Sequence, residues 1–347
     1  MKVPGPIRFS IFVPCLLLLA VFTVPQSVRA QQNWHATVGA ESPDMGKQAL
    51  AFLPNEIWIH AGDSITWTFQ SDEIHTLTFL KPAQPYPSDF TLGCPGFASS
   101  GATFDGSTCV TTPPMVKGQT FAVAFPKAGN YKFECLVHNT MTGAIHVLGA
   151  SEALPHTQAF YDDQGAAQRK ALLSDTDQKM QMAMHHDGDH DGDDSFSVRV
   201  IHKKQVTAGI GEMTSTPGGT QQLAIVRFMD GTITIHAGDT IEWTNHDPDE
   251  PHTITFGPDP AGNPFPPSAN VTVDSDGALH AIITSPSENV HSGAILQALE
   301  DEAGVPQNTL ANNPTRFRAT FTQPGTYNYH CFFHDNLGMV GKVIVVP

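Results

Sequence analysis

Two short stretches of the chain carry the residue types that bind soft metal ions. YKFECLVHNTM, from Tyr131 to Met141, and YNYHCFFHDNLGM, from Tyr327 to Met339, each pass from an aromatic segment to a Cys, then a His, then a Met. A thiolate and a thioether favour Cu(I), and imidazole suits both copper oxidation states. A rigid scaffold that fixes one compromise geometry lets an electron arrive and leave with little movement. Each stretch supplies three candidate ligands: Cys135, His138 and Met141 in the first, Cys331, His334 and Met339 in the second. A fourth must come from elsewhere in the chain. The recurring H-T-x-T-F segment offers His75 and His252, each a short acidic turn beyond a Trp-containing segment. Taken singly, each Cys could be a buried thiol or half of a disulfide, and each Met plain core. The whole set occurs twice, which favours ligands and implies about two copper ions per chain.

The elements that must position these residues are also duplicated. FLPNEIWIHAGDSITWTFQSDEIHTLTF (52–79) matches FMDGTITIHAGDTIEWTNHDPDEPHTITF (228–256). AGNYKFEC matches PGTYNYHC, and MTGAIHV matches MVGKVIV. Self-similarity over this length means two copies of one domain. Short runs of Ile, Val, Thr, Phe and Trp alternate with polar residues and are broken by Gly, Pro, Asn and Asp, the pattern of strands. Side chains two apart share a strand face. Cys135 therefore joins Tyr131 and Phe133 on the core side, Cys331 joins Tyr327 and Tyr329, and Glu134 and His330 are expected to face outward. His60 and His236 in the repeated IHAGD segments read as surface-turn residues.

Residues 1–30 read as a secretory signal peptide: Lys2 and Arg8, an apolar run, then VRA at 28–30. This predicts export to the periplasm or outside the cell, with no transmembrane segment after its removal. Losing three basic residues and no acidic one from 18 and 34 leaves 15 against 34, a net charge of −19. Such a surface repels phosphate backbones and excludes nucleic acid as a partner. A soluble or membrane-associated redox protein is the expected partner. In an oxidising compartment Cys94 and Cys109, which flank a Gly/Ser-rich loop, form a plausible disulfide. The predicted domains are 31–150 and 196–347. Between them, 151–195 forms a linker, helical over 158–184 and then His/Asp-rich, which leaves the domain arrangement open. Residues 81–118 and 257–315, rich in Pro, Gly and Ser, read as loop insertions.

The spacings C-x2-H-x2-M at Cys135 and C-x2-H-x4-M at Cys331, with His75 and His252 upstream, resemble the cupredoxin family of blue type 1 copper proteins, plastocyanin/amicyanin-like. The resemblance covers most of 31–150 and 196–347. It implies an all-β fold of two Greek-key β-sandwiches joined by the partly helical linker. It also implies one copper near one end of each sandwich and single-electron transfer. The loop His edge is then expected at the surface, inside an apolar docking patch of Leu136, Val137 and Met141, or of Phe332, Phe333, Leu337 and Met339.

Three other functions are weighed against electron transfer. An oxidase of this family needs paired H-x-H ligands, and the chain contains no H-x-H. A nitrite-reductase-like oxidoreductase needs a second copper on three His. His330 precedes Cys331, but Gly257 stands where another would follow His252, leaving His280 and His291 as spares. A copper storage or delivery protein would use the linker cluster Met180, Met182, Met184, His185, His186 and His190, whose soft and borderline donors suit copper. The reading adopted is an electron carrier with no catalytic residue.

Overall fold

SITWTF (64–69) and RFRATF (316–321) bury every second side chain, and this alternation builds the strands on which the rest packs. The computed structural model describes residue 1 and residues 30–84, 94–174, 203–296 and 314–347. The leader, residues 175–195 of the linker and its Met/His cluster lie outside the described residues.

Among the described residues, ten strands form the first sandwich: β1 (Asn33–Glu41), β2 (Lys47–Leu53), β3 (Glu56–His60), β4 (Ser64–Phe69), β5 (Thr78–Phe79), β6 (Ala102–Thr103), β7 (Val110–Thr111), β8 (Thr120–Ala124), β9 (Gly129–Glu134) and β10 (Thr142–Leu148). Helix α1 (Gln158–Ser174) follows. The second sandwich holds β11 (Lys203–Thr216), β12 (Gly219–Met229), β13 (Thr232–His236), β14 (Thr240–His246), β15 (Thr255–Phe256), β16 (Thr272–Val273), β17 (Leu279–Ile283), β18 (Val290–His291), β19 (Arg316–Phe321), β20 (Gly325–His330) and β21 (Val340–Val346). Each sandwich has its own five-stranded sheet, β3-β10-β9-β5-β7 or β13-β21-β20-β15-β18. The facing sheets are one continuous eleven-stranded sheet, β16-β17-β19-β14-β11-β12-β2-β1-β4-β8-β6.

The sequence repeat reappears as a repeated core. Trp67 packs edge-on against Phe79 and Phe133, with ring centroids 5.9 and 5.8 Å away. Trp243 does the same with Phe256 and Tyr329 at 6.1 and 5.3 Å. Each buried ring of this size stabilises the fold by about 2 kcal/mol or more relative to exposure. The Cys-bearing strands β9 and β20 thus begin on the core and deliver their cysteines to its end.

Several expectations need correction. The sandwiches are not left to an open linker, because β2 and β12 pair antiparallel from Gln222↔Leu50 to Ile225↔Lys47. Leu223 closes the seam against Ala40, Ala49, Ala51, Leu53 and Leu172. The residues from Gln31 to Pro347 accordingly form one compact unit. The helix expected over 158–184 is present over Gln158–Ser174, the rest of that range lying outside the described residues, and it packs on the first sandwich. Tyr161 is buried there, its hydroxyl accepts the Trp58 N–H at 2.8 Å, and Gly165 lies against the Leu53 and Pro54 backbone. His60 is buried and hydrogen-bonded through Nε2 to the Glu152 carbonyl at 2.7 Å, while its counterpart His236 is exposed as expected. The difference follows from the chain after β10, which folds back over His60. Glu134 and His330 alternate with buried neighbours as expected and are themselves half-buried. The described parts of the two insertions are not plain loops, since they carry β6, β7 and β16 to β18. Cys94 and Cys109 form a disulfide.

Candidate metal centre

In each sandwich the candidate residues arrive from two directions. His75 follows the turn after β4, and a backbone bridge to Met115 fixes it, with N···O distances of 2.9 and 2.8 Å. His252 is bridged to Ile295 in the same way, at 3.1 and 2.8 Å. The insertions therefore clamp the upstream His of both sites. Cys135 ends β9 and Cys331 ends β20. Each loop closes on itself, the Cys135 N–H donating to the Met141 carbonyl and the Cys331 N–H to the Met339 carbonyl, both at 3.0 Å.

The donor atoms converge in the interior. Nδ1 of His75 lies 3.0 Å from Nδ1 of His138, which is 3.6 Å from the Cys135 Sγ. Nδ1 of His252 lies 3.2 Å from Nδ1 of His334, and the Cys331 Sγ is 3.9 and 3.5 Å from them. All six residues are buried, as are Met141 and Met339. The structure thus brings His75, Cys135 and His138 into one ligand-sized group and His252, Cys331 and His334 into another. Each Met is placed in the core beside its Cys.

The electrostatics suit deprotonated sulfur. Burial pushes the Cys135 thiol up, but His138 and His75 overcome this and hold it well below the usual thiol range. Burial acts likewise on Cys331, and His334 and His252 reverse it. Burial would lower His138, yet Glu250 and Cys135 hold it well above an ordinary histidine. His334 is raised in the same way, first by Cys331. A thiolate paired with a charged imidazole is a site ready to exchange a proton for a cation. The donor chemistry therefore fits copper at both places.

Sequence reasoning missed three features. The N–H of Thr76 points to the Cys135 Sγ at 3.3 Å, and that of Thr253 to the Cys331 Sγ at 3.4 Å. Their hydroxyls accept the N–H of Leu136 at 2.7 Å and of Phe332 at 2.8 Å, tying the two ligand segments together. The T of the repeated H-T-x-T-F was the available signal. Gly39 and Gly209, at φ of +66° and +80°, lie at register shifts in β1 and β11, directly against the rings of His75 and His252. Glu73 and Glu250, each two residues before the upstream His, stand between the two sites. Only their place in the repeat hinted at this.

That last feature overturns the expected exposed His edge. His138 and His334 are each 1 % exposed, because the seam between β2 and β12 turns the two loops toward each other. Nε2 of His138 faces Glu250 at 2.7 Å and Glu73 at 3.7 Å. Nε2 of His334 faces the same residues at 3.3 and 3.6 Å. The loop of the first sandwich is also gripped by the second, the Thr140 hydroxyl donating to Gln222 at 2.9 Å and to Asp249 at 3.0 Å.

The residues considered for a catalytic second copper do not form a three-His group among the described residues, and each has other hydrogen-bond partners. His280 bonds to Asp274 and Thr320, His291 to Thr255 and the Pro264 carbonyl, and His330 to Asp259.

The family model for copper binding proteins of the plastocyanin/azurin family matches residues 40–148 and again 216–346. A chloroplast plastocyanin from Tetradesmus obliquus is 32 % identical over 120 residues, 34 % of this chain and 57 % of that protein. A Synechococcus plastocyanin is 28 % identical over 114 residues, 33 % of this chain and 60 % of the relative. The chain thus spans somewhat over half the length of these two relatives. The solved structure of an oxidized amicyanin variant is similar at 18 % identity and a TM-score of 0.23, covering 33 % of this chain and 80 % of that one. With two matched regions that together take in most of its length, each holding a Cys/His/His group, the chain belongs to the plastocyanin/azurin family of copper binding proteins as a tandem, two-domain cupredoxin.

Proposed function

We propose that the protein is an exported electron carrier with one type 1 copper in each sandwich. His75, Cys135, His138 and Met141 would hold the first, and His252, Cys331, His334 and Met339 the second. The observation that carries this reading is the doubled convergence of one buried Sγ and two imidazole Nδ1 atoms in a copper-binding family. Copper in such a set cycles between Cu(I) and Cu(II) and stores one electron. The chain's own part is rigidity and exclusion of water. Strand ends fix the sulfur, backbone bridges fix the upstream His, and each sandwich shields the other's loop His. That shielding supports exchange of electrons between the two sites. Electrons would reach the pair from redox protein partners in the periplasm or outside the cell, and no described helix is long and apolar enough to cross a membrane.

The test is copper content and the visible spectrum of the mature chain beside Cys135→Ser and Cys331→Ser. About two coppers, with an intense thiolate-to-copper band that each substitution halves, is the expected result. Copper bound without that band would overturn the reading.

A further inference from the structure

We infer that the seam between the sandwiches is itself a metal site, in which one divalent cation of the zinc class is held by the carboxylates of Glu73 and Glu250 and by Nε2 of His138 and His334. This rests on the proposed function in one respect, that the same two imidazoles hold copper through Nδ1. The cation would then sit between two copper sites, joined to each by an imidazole ring.

The geometry is that of ligands rather than of hydrogen bonds. Nε2 of His138 and Oε1 of Glu250 are both buried and only 2.7 Å apart, yet no well-aligned hydrogen bond joins them to each other or to any other group among the described residues. A cation bound by both would satisfy the two atoms together. Each carboxylate offers one oxygen to each imidazole: the Oε1 atoms of Glu250 and Glu73 lie 2.7 and 3.7 Å from Nε2 of His138, and their Oε2 atoms lie 3.3 and 3.6 Å from Nε2 of His334. Glu73, His138 and Glu250 already form a ligand-sized group, and every member is buried.

Charge makes the same demand. The ion pairs of Glu73 and Glu250 are all with His138 and His334; no lysine or arginine among the described residues pairs with them. Two buried carboxylates need compensation, and imidazoles already committed to copper at Nδ1 offer only an N–H each. A divalent cation replaces those protons, which leave to solvent as it binds. The mixed imidazole and carboxylate set, lacking sulfur, selects a borderline divalent ion over Cu(I).

The experiment uses the copper-loaded mature chain, with Zn2+ added, unbound metal removed by desalting, and both metals counted by elemental analysis. One zinc per chain is expected, with copper content and the thiolate band undiminished. The Glu73→Gln/Glu250→Gln double variant should keep the band, which reports an intact fold, and lose one zinc. Zinc held by the HHDGDHDGDD segment would remain in both proteins and cancel. Co2+ as a second probe should give weak visible bands without sulfur charge transfer, absent from the double variant. A blue protein whose zinc content matches that of the double variant overturns this inference and leaves the copper reading standing. A colourless protein that still loses one zinc with the double variant supports the seam site and sinks the copper reading instead. A band that survives both Cys135→Ser and Cys331→Ser, with zinc unchanged in the double Glu variant, overturns both.

Discussion

Glu250 of the second sandwich meets His138 of the first at 2.7 Å, and the same carboxylate reaches His334 of its own sandwich at 3.3 Å. One residue therefore touches the outward edge of both loop imidazoles. Burial alone would raise the Glu250 carboxyl, but His138 and His334 hold it well below the carboxylate range, so it is charged. A negative charge there favours the oxidised form of a redox centre behind either ring. In chelator-washed protein, Glu250→Gln should raise both reduction potentials. At an effective dielectric of about 20, a charge one imidazole ring away from the centre is worth on the order of 2 kcal/mol, on the order of 100 mV for one electron. Spectroelectrochemical titration checks it. A shift in one site only would show that the carboxylate serves a single sandwich.

Gly39 and Gly209 are expected to control the two sites separately. A Cβ at Gly39 would overlap Ser71 Oγ and His75 Nε2, and one at Gly209 would overlap His252 Nε2. Both glycines also hold left-handed φ values, which cost an alanine about 1–2 kcal/mol. Gly209→Ala should displace His252 and remove the second band while the first persists, and Gly39→Ala should do the reverse. Copper content and the visible spectrum of each variant decide this. Equal loss from both sites would mean that the bulges matter to the seam rather than to the ring beside them.

The loop residues were legible in the sequence because their chemistry is rare and their order is local. Cys135, His138 and Met141 fall within one turn, and His75 could be added only because the segment around it recurs at His252. The all-β fold was legible for the same reason, since alternation such as that of SITWTF is a local signal. The seam was not. Gln48 and Gln222 are polar yet buried, and nothing within β2 or β12 announces the partner strand. Glu73 and Glu250 belong to the short acidic turns before His75 and His252, and only the pairing of β2 with β12 brings them face to face. The buried state of His60 depends on Glu152, far along the chain.

Leu223 offers a measure of that seam. It is buried among four residues of β1 and β2 and Leu172 of α1, so it joins helix, first sandwich and second sandwich at one point. Leu223→Ala should cost about 2–4 kcal/mol through lost burial and the cavity left behind. Because one sheet runs through both sandwiches, calorimetry should show a single unfolding transition that moves to lower temperature. Two resolved transitions in the wild-type chain would contradict the coupling.

Asp247 links the seam to pH. Its Oδ1 accepts the Gln222 amide at 2.6 Å and the N–H groups of Asp249 and Glu250 at 3.0 and 2.8 Å, which shapes the turn that presents Glu250. Burial, reinforced by the nearby Glu250 charge, pushes its carboxyl up to about 6. A carboxyl whose folded value exceeds its unfolded value of about 3.9 stabilises the fold fully below that unfolded value. The contribution is lost as pH rises through about 6. Asp247→Asn keeps an oxygen to accept the same three N–H groups and carries no charge at any pH. It should therefore match the wild type near pH 4 and become the more stable protein above pH 6. The gap should approach about 3 kcal/mol, from two units at about 1.4 kcal/mol each. Denaturant midpoints measured from pH 4 to 8 test the sign. A gap that narrows with rising pH would mean that Asp247 is charged in the fold throughout, held so by the N–H groups around it.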